Sequence, residues 1–147
     1  MIRVHGTSVA LGGDGILLRG PSGSGKSDLA LRLIDGGARL VSDDQTELRI
    51  FGEELRMSAP PSIAGRLEVR GVGILRVPSV TSAPLRLVVD LVPASEIERL
   101  PEPRCCEILG RSFRVLGLSS FEASAPAKLR AAVRALGADT PHLWDTA

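Results

Sequence analysis

The chain contains the string Gly20-Pro21-Ser22-Gly23-Ser24-Gly25-Lys26-Ser27, which matches the pattern GxxxxGKS. Because glycine lacks a Cβ, Gly20, Gly23 and Gly25 let successive backbone N–H groups curl around an anion. Lys26 adds a positive charge for the β- and γ-phosphates of a nucleotide, and Ser27 offers a hydroxyl to Mg²⁺. The string therefore predicts a phosphate-binding loop in which all eight residues contribute to the nucleotide site.

The residues on both sides of this loop predict the strand and the helix that a phosphate-binding loop joins. An apolar run at residues 16–18 precedes the loop and is typical of a strand. After the loop, apolar residues recur at helical spacing at Leu29, Ala30, Leu33 and Ile34. Gly36 and Gly37 are then expected to end the helix. These neighbours favour a phosphate-binding loop over a flexible glycine- and serine-rich linker.

Length and composition indicate one folded domain without an electrostatic surface for a polyanion. The chain has 147 residues, of which 44% are hydrophobic and 24% charged. A net charge of +1 and 3% aromatic residues give no concentrated basic or base-stacking surface, so neither nucleic acid nor a membrane is predicted as a partner. No apolar run approaches the roughly 18 residues of a membrane span, and no signal peptide is recognised. A cytoplasmic protein is therefore expected.

Local patterns along the chain predict a single α/β domain over residues 1–147, with a phosphate-binding loop, a mixed sheet and few helices. Strands are expected at 2–11, 39–42, 47–51, 55–57, 85–92 and 113–116, with a hairpin turn at Gly52 and a flexible glycine-rich segment at 65–73. A final helix is expected from Ser124, with Pro126 in its first turn and Gly137 at its end. The tail from Asp139, with His142 and Trp144, shows no periodicity and is expected to be a loosely docked end.

Two adjacent carboxylates are the best candidates for chemistry beside the loop. Asp43 and Asp44 end a predicted strand, and ligands of open α/β sheets bind at the carboxyl ends of strands. One carboxylate suits acceptance of a proton from an attacking hydroxyl, and the other suits metal binding. The alternative is an ordinary turn at the end of a strand. Asp90 is a rival metal residue, but the apolar run continues past it and places it inside a strand.

Four sequence elements together resemble the catalytic domain of the bacterial HPr serine kinase/phosphorylase. They are His5-Gly6, the loop 20–27, Leu40-Val41-Ser42-Asp43-Asp44, and Glu68-Val69-Arg70-Gly71-Val72-Gly73-Ile74. The matched elements span residues 5–77. The double aspartate and the last string make the resemblance more specific than the loop alone, since generic proteins with such a loop carry neither.

The resemblance implies a fold related to phosphoenolpyruvate carboxykinase and a specific reaction. A phosphoryl group would pass from ATP or pyrophosphate to a serine of the phosphocarrier protein HPr, or of an HPr-like carrier, and inorganic phosphate would remove it by phosphorolysis. ATP and Mg²⁺ would be the cofactors. By position, the resemblance implies catalytic roles for Asp43, His5 and Arg70, and metal-binding roles for Ser27, Asp44 and Glu68.

The structural alternatives are a loop ion pair for Glu68 and Arg70 and a structural role for His5. Longer family members carry a further domain before the His-Gly element. Because that element begins at residue 5 here, the expectation is a short form without that domain, and a homo-oligomer is compatible with it. Two other classes stay open, namely a small-molecule kinase or nucleotide hydrolase and a nucleotide sensor without catalysis.

Overall fold

A computed structural model describes residues 1–137, so the expected loosely docked tail from Asp139 lies outside the described residues. Two α-helices are present there, α1 (Lys26–Asp35) and α2 (Ala125–Gly137). The strands are β1 (Ile2–His5), β2 (Thr7–Leu11), β3 (Asp14–Arg19), β4 (Arg39–Ser42), β5 (Gln45–Phe51), β6 (Glu54–Ser58), β7 (Arg66–Val69), β8 (Gly73–Arg76), β9 (Ser82–Leu91), β10 (Arg104–Ile108) and β11 (Arg111–Leu118). Neither helix is long and apolar enough to cross a membrane.

Nine of these strands form one mixed sheet, and β7 pairs only with β8. The main order is β1-β5-β6-β9-β3-β2-β4. Strand β9 runs parallel to β3 on one side; on its other side it pairs first with β6, antiparallel, and then with β11, parallel. Strand β10 pairs antiparallel with β11. The predicted α/β fold with a mixed sheet and few helices is therefore confirmed.

The sheet has an apolar cluster on each face. On the helix side, Ile16, Leu18, Leu87 and Val89 pack with the buried stripes of α1 and α2. On the other side, the alternate residues Leu17 and Val88 pack against side chains of β5 and β6, namely Leu48, Leu55 and Met57. Strands of one sheet thus contact each other across its concave face. The sheet curls back on itself, and side chains of its own strands fill that face.

The curled sheet brings four strand ends to one edge. Strands β3, β9 and β11 are parallel, and β4 has the same direction because both β3 and β4 pair antiparallel with β2. The loop 20–27 follows β3, Asp43 follows β4, and residues 119–124 follow β11. The first residue of β2 lies at the same edge. Carboxyl ends of strands are where ligands of α/β sheets bind, so this edge is the candidate site.

Most of the predicted elements are confirmed, with three differences. The stretch expected as one strand at 2–11 is two strands, because the chain breaks at Gly6 and β1 pairs with β5 whereas β2 pairs with β3 and β4. The strand into the loop, the helix after it, the strand at 39–42 and the hairpin around Gly52 lie where the sequence indicated. The glycine-punctuated stretch 65–73, expected to be a flexible segment, instead forms most of the β7–β8 hairpin, because the fully buried Leu67 packs into the helix-side core. Strand β10 was not predicted, since its largely exposed residues have no apolar alternation.

Candidate active site

The loop 20–27 joins β3 to α1 and holds its lysine side chain inward. Gly23 and Gly25 adopt positive φ angles of 84° and 92°, which favour glycine. Lys26 is only 7% exposed, and its Nζ donates to the carbonyl oxygens of Gly20 at 2.6 Å and Pro21 at 3.0 Å. The ammonium group is thereby held inside the curl of the loop. Such a position suits a cation that neutralises phosphate oxygens.

Asp43 connects three parts of the site through its carboxylate. It is 8% exposed. Its Oδ1 accepts hydrogen bonds from Ser27 Oγ at 2.7 Å and from Thr7 Oγ1 at 3.1 Å. Its Oδ2 accepts one from the backbone N–H of Glu68 at 3.0 Å. The loop after β3, the start of β2 and the β7–β8 hairpin therefore meet on one buried carboxylate.

The Asp44 side chain points away from the buried Asp43 carboxylate, because the Asp44 backbone has a left-handed conformation. Its φ is 68°, a value that aspartate tolerates better than most residues. Its N–H donates to Thr7 Oγ1 at 3.1 Å, and its carbonyl accepts from the Gly6 N–H at 2.8 Å. Its exposed carboxylate lies 2.9 Å from His5 Nε2. The two adjacent aspartates are thus separated into one buried and one exposed acid.

The β7–β8 hairpin brings the remaining predicted residues to the same place. Glu68 and Arg70 are exposed and line one cavity with the loop, although the two side chains form no ion pair within residues 1–137. The cavity has a volume of about 330 Å³. Its walls are His5, Ser22, Gly23, Gly25, Lys26, Ser27, Asp28, Leu31, Asp44, Glu68, Val69, Arg70 and Phe121. Asp43 is not among these residues, and it contacts the cavity wall through its hydrogen bond with Ser27.

The donor set at this cavity fits Mg²⁺ bound together with phosphate. Magnesium prefers oxygen ligands and usually keeps several waters, with one or two carboxylates and substrate phosphates. The Ser27 hydroxyl, the Asp44 carboxylate and the Glu68 carboxylate all line the cavity. Within residues 1–137 no three histidine, cysteine or acidic side chains are clustered as a ready-made metal site. Phosphate oxygens and water would take the remaining positions around a Mg²⁺ ion held by these donors.

Asp90, the rival carboxylate, is bound to an arginine instead of facing the cavity. It lies opposite Arg19 in the β3–β9 pair, and its two oxygens accept from Arg19 Nε at 2.7 Å and from the Arg19 terminal nitrogen at 3.1 Å. The hydrogen bond to Asp90 raises the pKa of the Arg19 guanidinium, and burial partly opposes this. Because Arg19 directly precedes Gly20, the pair supports the base of the loop.

We therefore expect Asp90→Asn to change stability and not metal use. The substitution weakens a partly buried, charge-assisted pair, so the free energy of unfolding should fall by about 1 kcal/mol. The Mg²⁺ concentration that gives half-maximal nucleotide binding should stay at the parental value. Urea unfolding and a Mg²⁺ titration check the two parts. A raised Mg²⁺ requirement in a folded variant would make Asp90 a metal residue after all.

Several residues of the site were not predicted from the sequence, among them the cavity-wall residues Asp28, Leu31 and Val69, and also Thr7 and Phe121. The Thr7 hydroxyl donates a hydrogen bond to the Asp43 carboxylate and accepts one from the Asp44 N–H. The only sequence signal of Thr7 is its place directly after His5-Gly6. Phe121 lies on the loop between β11 and α2 and lines the cavity although it is 71% exposed. No local pattern distinguishes it from any other exposed loop residue.

Comparisons with known proteins agree with this geometry. The family model of the HPr Serine kinase C-terminal domain matches residues 1–102. The chain is 42% identical over 113 residues to the HPr kinase/phosphorylase of Caldanaerobacter subterraneus subsp. tengcongensis, covering 74% of this chain and 36% of that protein. It is 49% identical over 78 residues to the HPr kinase/phosphorylase of Clostridium tetani, covering 53% of this chain and 26% of that protein. The chain thus spans well under half the length of these curated relatives.

A solved structure extends the similarity to nine-tenths of the chain. The Hpr(Ser) kinase/phosphatase from Coxiella burnetii matches with a TM-score of 0.82 at 26% identity, over 91% of this chain and 89% of that one. The family model covers more than half of the sequence, and the resemblance inferred from His5-Gly6, the double aspartate and the 68–74 string is confirmed. This chain belongs to the family of the HPr serine kinase C-terminal domain.

Proposed function

We propose that this chain is the catalytic domain of an ATP- and Mg²⁺-dependent serine kinase that acts on HPr or an HPr-like phosphocarrier. The observation that carries the proposal is the cavity that the loop 20–27, Asp44 and the β7–β8 hairpin line, with Asp43 hydrogen-bonded to Ser27 of its wall. A phosphate cradle, a proton acceptor and a cation beside the acceptor are the parts that phosphoryl transfer needs. The proposal includes a fold related to phosphoenolpyruvate carboxykinase.

The nucleotide would be held through its phosphates. The Lys26 ammonium, which lines the cavity, and backbone N–H groups of the loop 20–27 would contact those phosphates. Ser27, Asp44 and Glu68 would hold Mg²⁺, which neutralises charge on the transferred group. His5 contacts the Asp44 carboxylate and would fix its direction. In this arrangement His5 would not contact the nucleotide itself, and would contribute by orienting the Asp44 carboxylate.

Asp43 is proposed as the group that moves the proton. Its carboxylate is 8% exposed and therefore has little water to compete with a serine hydroxyl. An incoming hydroxyl would replace that of Ser27 on Oδ1, because Ser27 is the partner that lines the cavity. Glu68 N–H and Thr7 would keep the carboxylate in place. In phosphorolysis the same carboxyl group would return the proton to the serine oxygen.

The direct test is incubation of the chain with labelled ATP, Mg²⁺ and purified HPr, followed by mapping of the modified residue. Label on a serine of HPr supports the proposal. Release of inorganic phosphate without labelled carrier would indicate a nucleotide hydrolase. A panel of metabolites in the same assay, with thermal shift as a second readout, would reveal a small-molecule kinase. Nucleotide binding without any turnover in the presence of carriers would indicate a sensor.

Arg70 gives a prediction that concerns the acceptor side. Arg70→Ala should lower the rate of transfer to HPr by at least about tenfold, since the guanidinium would stabilise charge near the acceptor. The Kd of Mg-ATP should change little, because the residue lies in the turn of the β7–β8 hairpin and not on the loop 20–27. Steady-state kinetics with HPr and calorimetry with Mg-ATP measure the two effects.

The matched control is Arg76→Ala. Arg76 is an exposed arginine of the same hairpin, pairs across from Arg66, and is not among the residues that line the cavity. It should transfer phosphate at the parental rate. Parental transfer by Arg70→Ala, or an equal loss in both variants, would contradict the role given to Arg70.

A further inference from the structure

An exposed aromatic ring lies beside the phosphate-binding loop, and the proposed phosphate chemistry does not use it. Phe121 is 71% exposed and lines the cavity together with Gly25 and Lys26. The sequence has only three phenylalanines, one tryptophan and no tyrosine. Phe121 differs from the other large exposed apolar residues within 1–137 in lining the cavity, where its ring offers a face on which a flat ligand can stack.

The loop that carries Phe121 is fixed on both sides of the ring. Arg32 of α1 donates to the carbonyl oxygens of Ser120 and Glu122, which flank Phe121. The Ser120 hydroxyl donates to the carbonyl oxygen of Ser24, inside the phosphate-binding loop. Ser120 is 2% exposed. Hydrogen bonds therefore fix the backbone on both sides of Phe121, which lowers the entropy cost of ordering this loop when a ligand binds.

The ring also lies directly against the phosphate-binding loop. A Cβ built on Gly25 would lie 3.1 Å from the Cε1 and Cζ atoms of Phe121 and would collide with the Ser120 hydroxyl. Glycine therefore suits position 25 for two reasons: it leaves space for the ring, and it adopts the positive φ angle of this position. Phe121 and the loop form one continuous surface, with backbone N–H groups at one end and an aromatic ring at the other.

The order of the strands gives this surface a direction. In the order β4-β2-β3-β9-β11, the phosphate-binding loop follows the central β3. Asp43 follows β4, two strands to one side, and Phe121 follows β11, two strands to the other. Neighbouring strands are about 4.8 Å apart, so each lies roughly 10 Å from the loop strand. If the terminal phosphoryl group faces Asp43, the remainder of the donor extends toward Phe121.

We propose that Phe121 stacks on the base of the nucleotide donor, and that this contact makes the site prefer a nucleotide over inorganic pyrophosphate. The inference rests on the proposed phosphate site at residues 20–27. Both donors carry the phosphates that the loop binds, and only the nucleotide carries an aromatic base. A stack on an aromatic side chain tolerates different bases, since every base has a π-face. The preference arises from the ring and not from the loop.

The test measures the Kd of Mg-ATP and of Mg-pyrophosphate separately by calorimetry. Phe121→Ala should weaken Mg-ATP by about tenfold or more, the range that removal of a stacking ring produces. The Kd of Mg-pyrophosphate should stay at the parental value. Phe121→Trp should restore Mg-ATP affinity because indole also stacks. Phe51→Ala is the matched control, since Phe51 is 59% exposed at the β5–β6 turn and should change neither Kd.

The outcomes separate this proposal from the one on which it rests. Equal loss of both ligands in Phe121→Ala would mean that the ring supports the loop, and would overturn stacking while leaving the phosphate site intact. Unchanged affinity for both ligands, whether or not the KM for HPr rises or the oligomeric state changes, would also overturn stacking. If the parental chain bound neither ligand, the phosphate site itself would be wrong, and the stacking proposal would fall with it.

Discussion

Lys26→Ala should abolish phosphoryl transfer and weaken Mg-ATP binding by at least about tenfold, while the domain stays folded. The reason for the lost activity is that the Lys26 ammonium is the positive side chain held within the curl of the loop. Its two contacts are carbonyl oxygens of residues 20 and 21, so its removal leaves both apolar clusters complete. The loop lies at the sheet edge and carries little of the core.

Calorimetry with Mg-ATP and transfer of label to HPr measure the two losses, and urea unfolding checks the fold. Lys128→Ala is the matched control, because Lys128 is the only other lysine of the chain. It is an exposed residue of α2, paired with Glu122, and is not among the residues that line the cavity. Equal Mg-ATP affinity in Lys26→Ala and the parent would refute the nucleotide site.

The elements around the loop could be predicted because their signals are local. Strand β3, helix α1 and its terminal glycines, and strand β4 are each specified by residues within a few positions of one another. The family was recognisable for a similar reason, since the double aspartate and the 68–74 string are short and unusual. The same local signals placed Asp90 inside a strand, where the structure has it in β9.

The contacts that assemble the site could not be predicted because they join distant residues. The bond from Thr7 to Asp43 spans 36 positions, and that from Arg19 to Asp90 spans 71. Neither leaves a pattern in one sequence. Phe121 reaches the loop only because β11 pairs in parallel with β9, a pairing that depends on the curl of the whole sheet. Its place beside Gly25 follows from topology and not from local composition.

The β7–β8 hairpin illustrates a conflict between local and tertiary signals. Its positive-φ glycines, Gly71 and Gly73, suggest a flexible segment when the stretch is considered alone. The burial of Leu67 and the bond from the Glu68 N–H to Asp43 hold it as an ordered hairpin. Backbone flexibility was therefore overestimated wherever a single buried side chain, distant in sequence from its partners, determines the structure.

Asp43→Asn should reduce the kinase and the phosphorolysis reactions together, by about 10²-fold or more, while Mg-ATP still binds. One carboxylate would take the serine proton in one direction and return it in the other, so both rates depend on its basicity. An amide keeps the shape and loses that basicity. Its oxygen can accept from the Glu68 N–H, and the Ser27 and Thr7 hydroxyls can rotate to accept from its NH₂ group, so the fold should tolerate the change.

Asp44→Asn distinguishes the two acids, because it changes the exposed carboxylate and leaves the buried one in place. It should raise the Mg²⁺ concentration needed for activity, with transfer largely recovered at saturating Mg²⁺, since a metal ligand can be compensated by mass action and a proton acceptor cannot. If Asp43→Asn instead recovered with added Mg²⁺ and Asp44→Asn did not, the two roles would have to be exchanged. In that case the Ser27–Asp43 contact would mark the metal position, and the acid beside His5 would move the proton. A parental rate in either direction for Asp43→Asn would contradict the shared acid and base role.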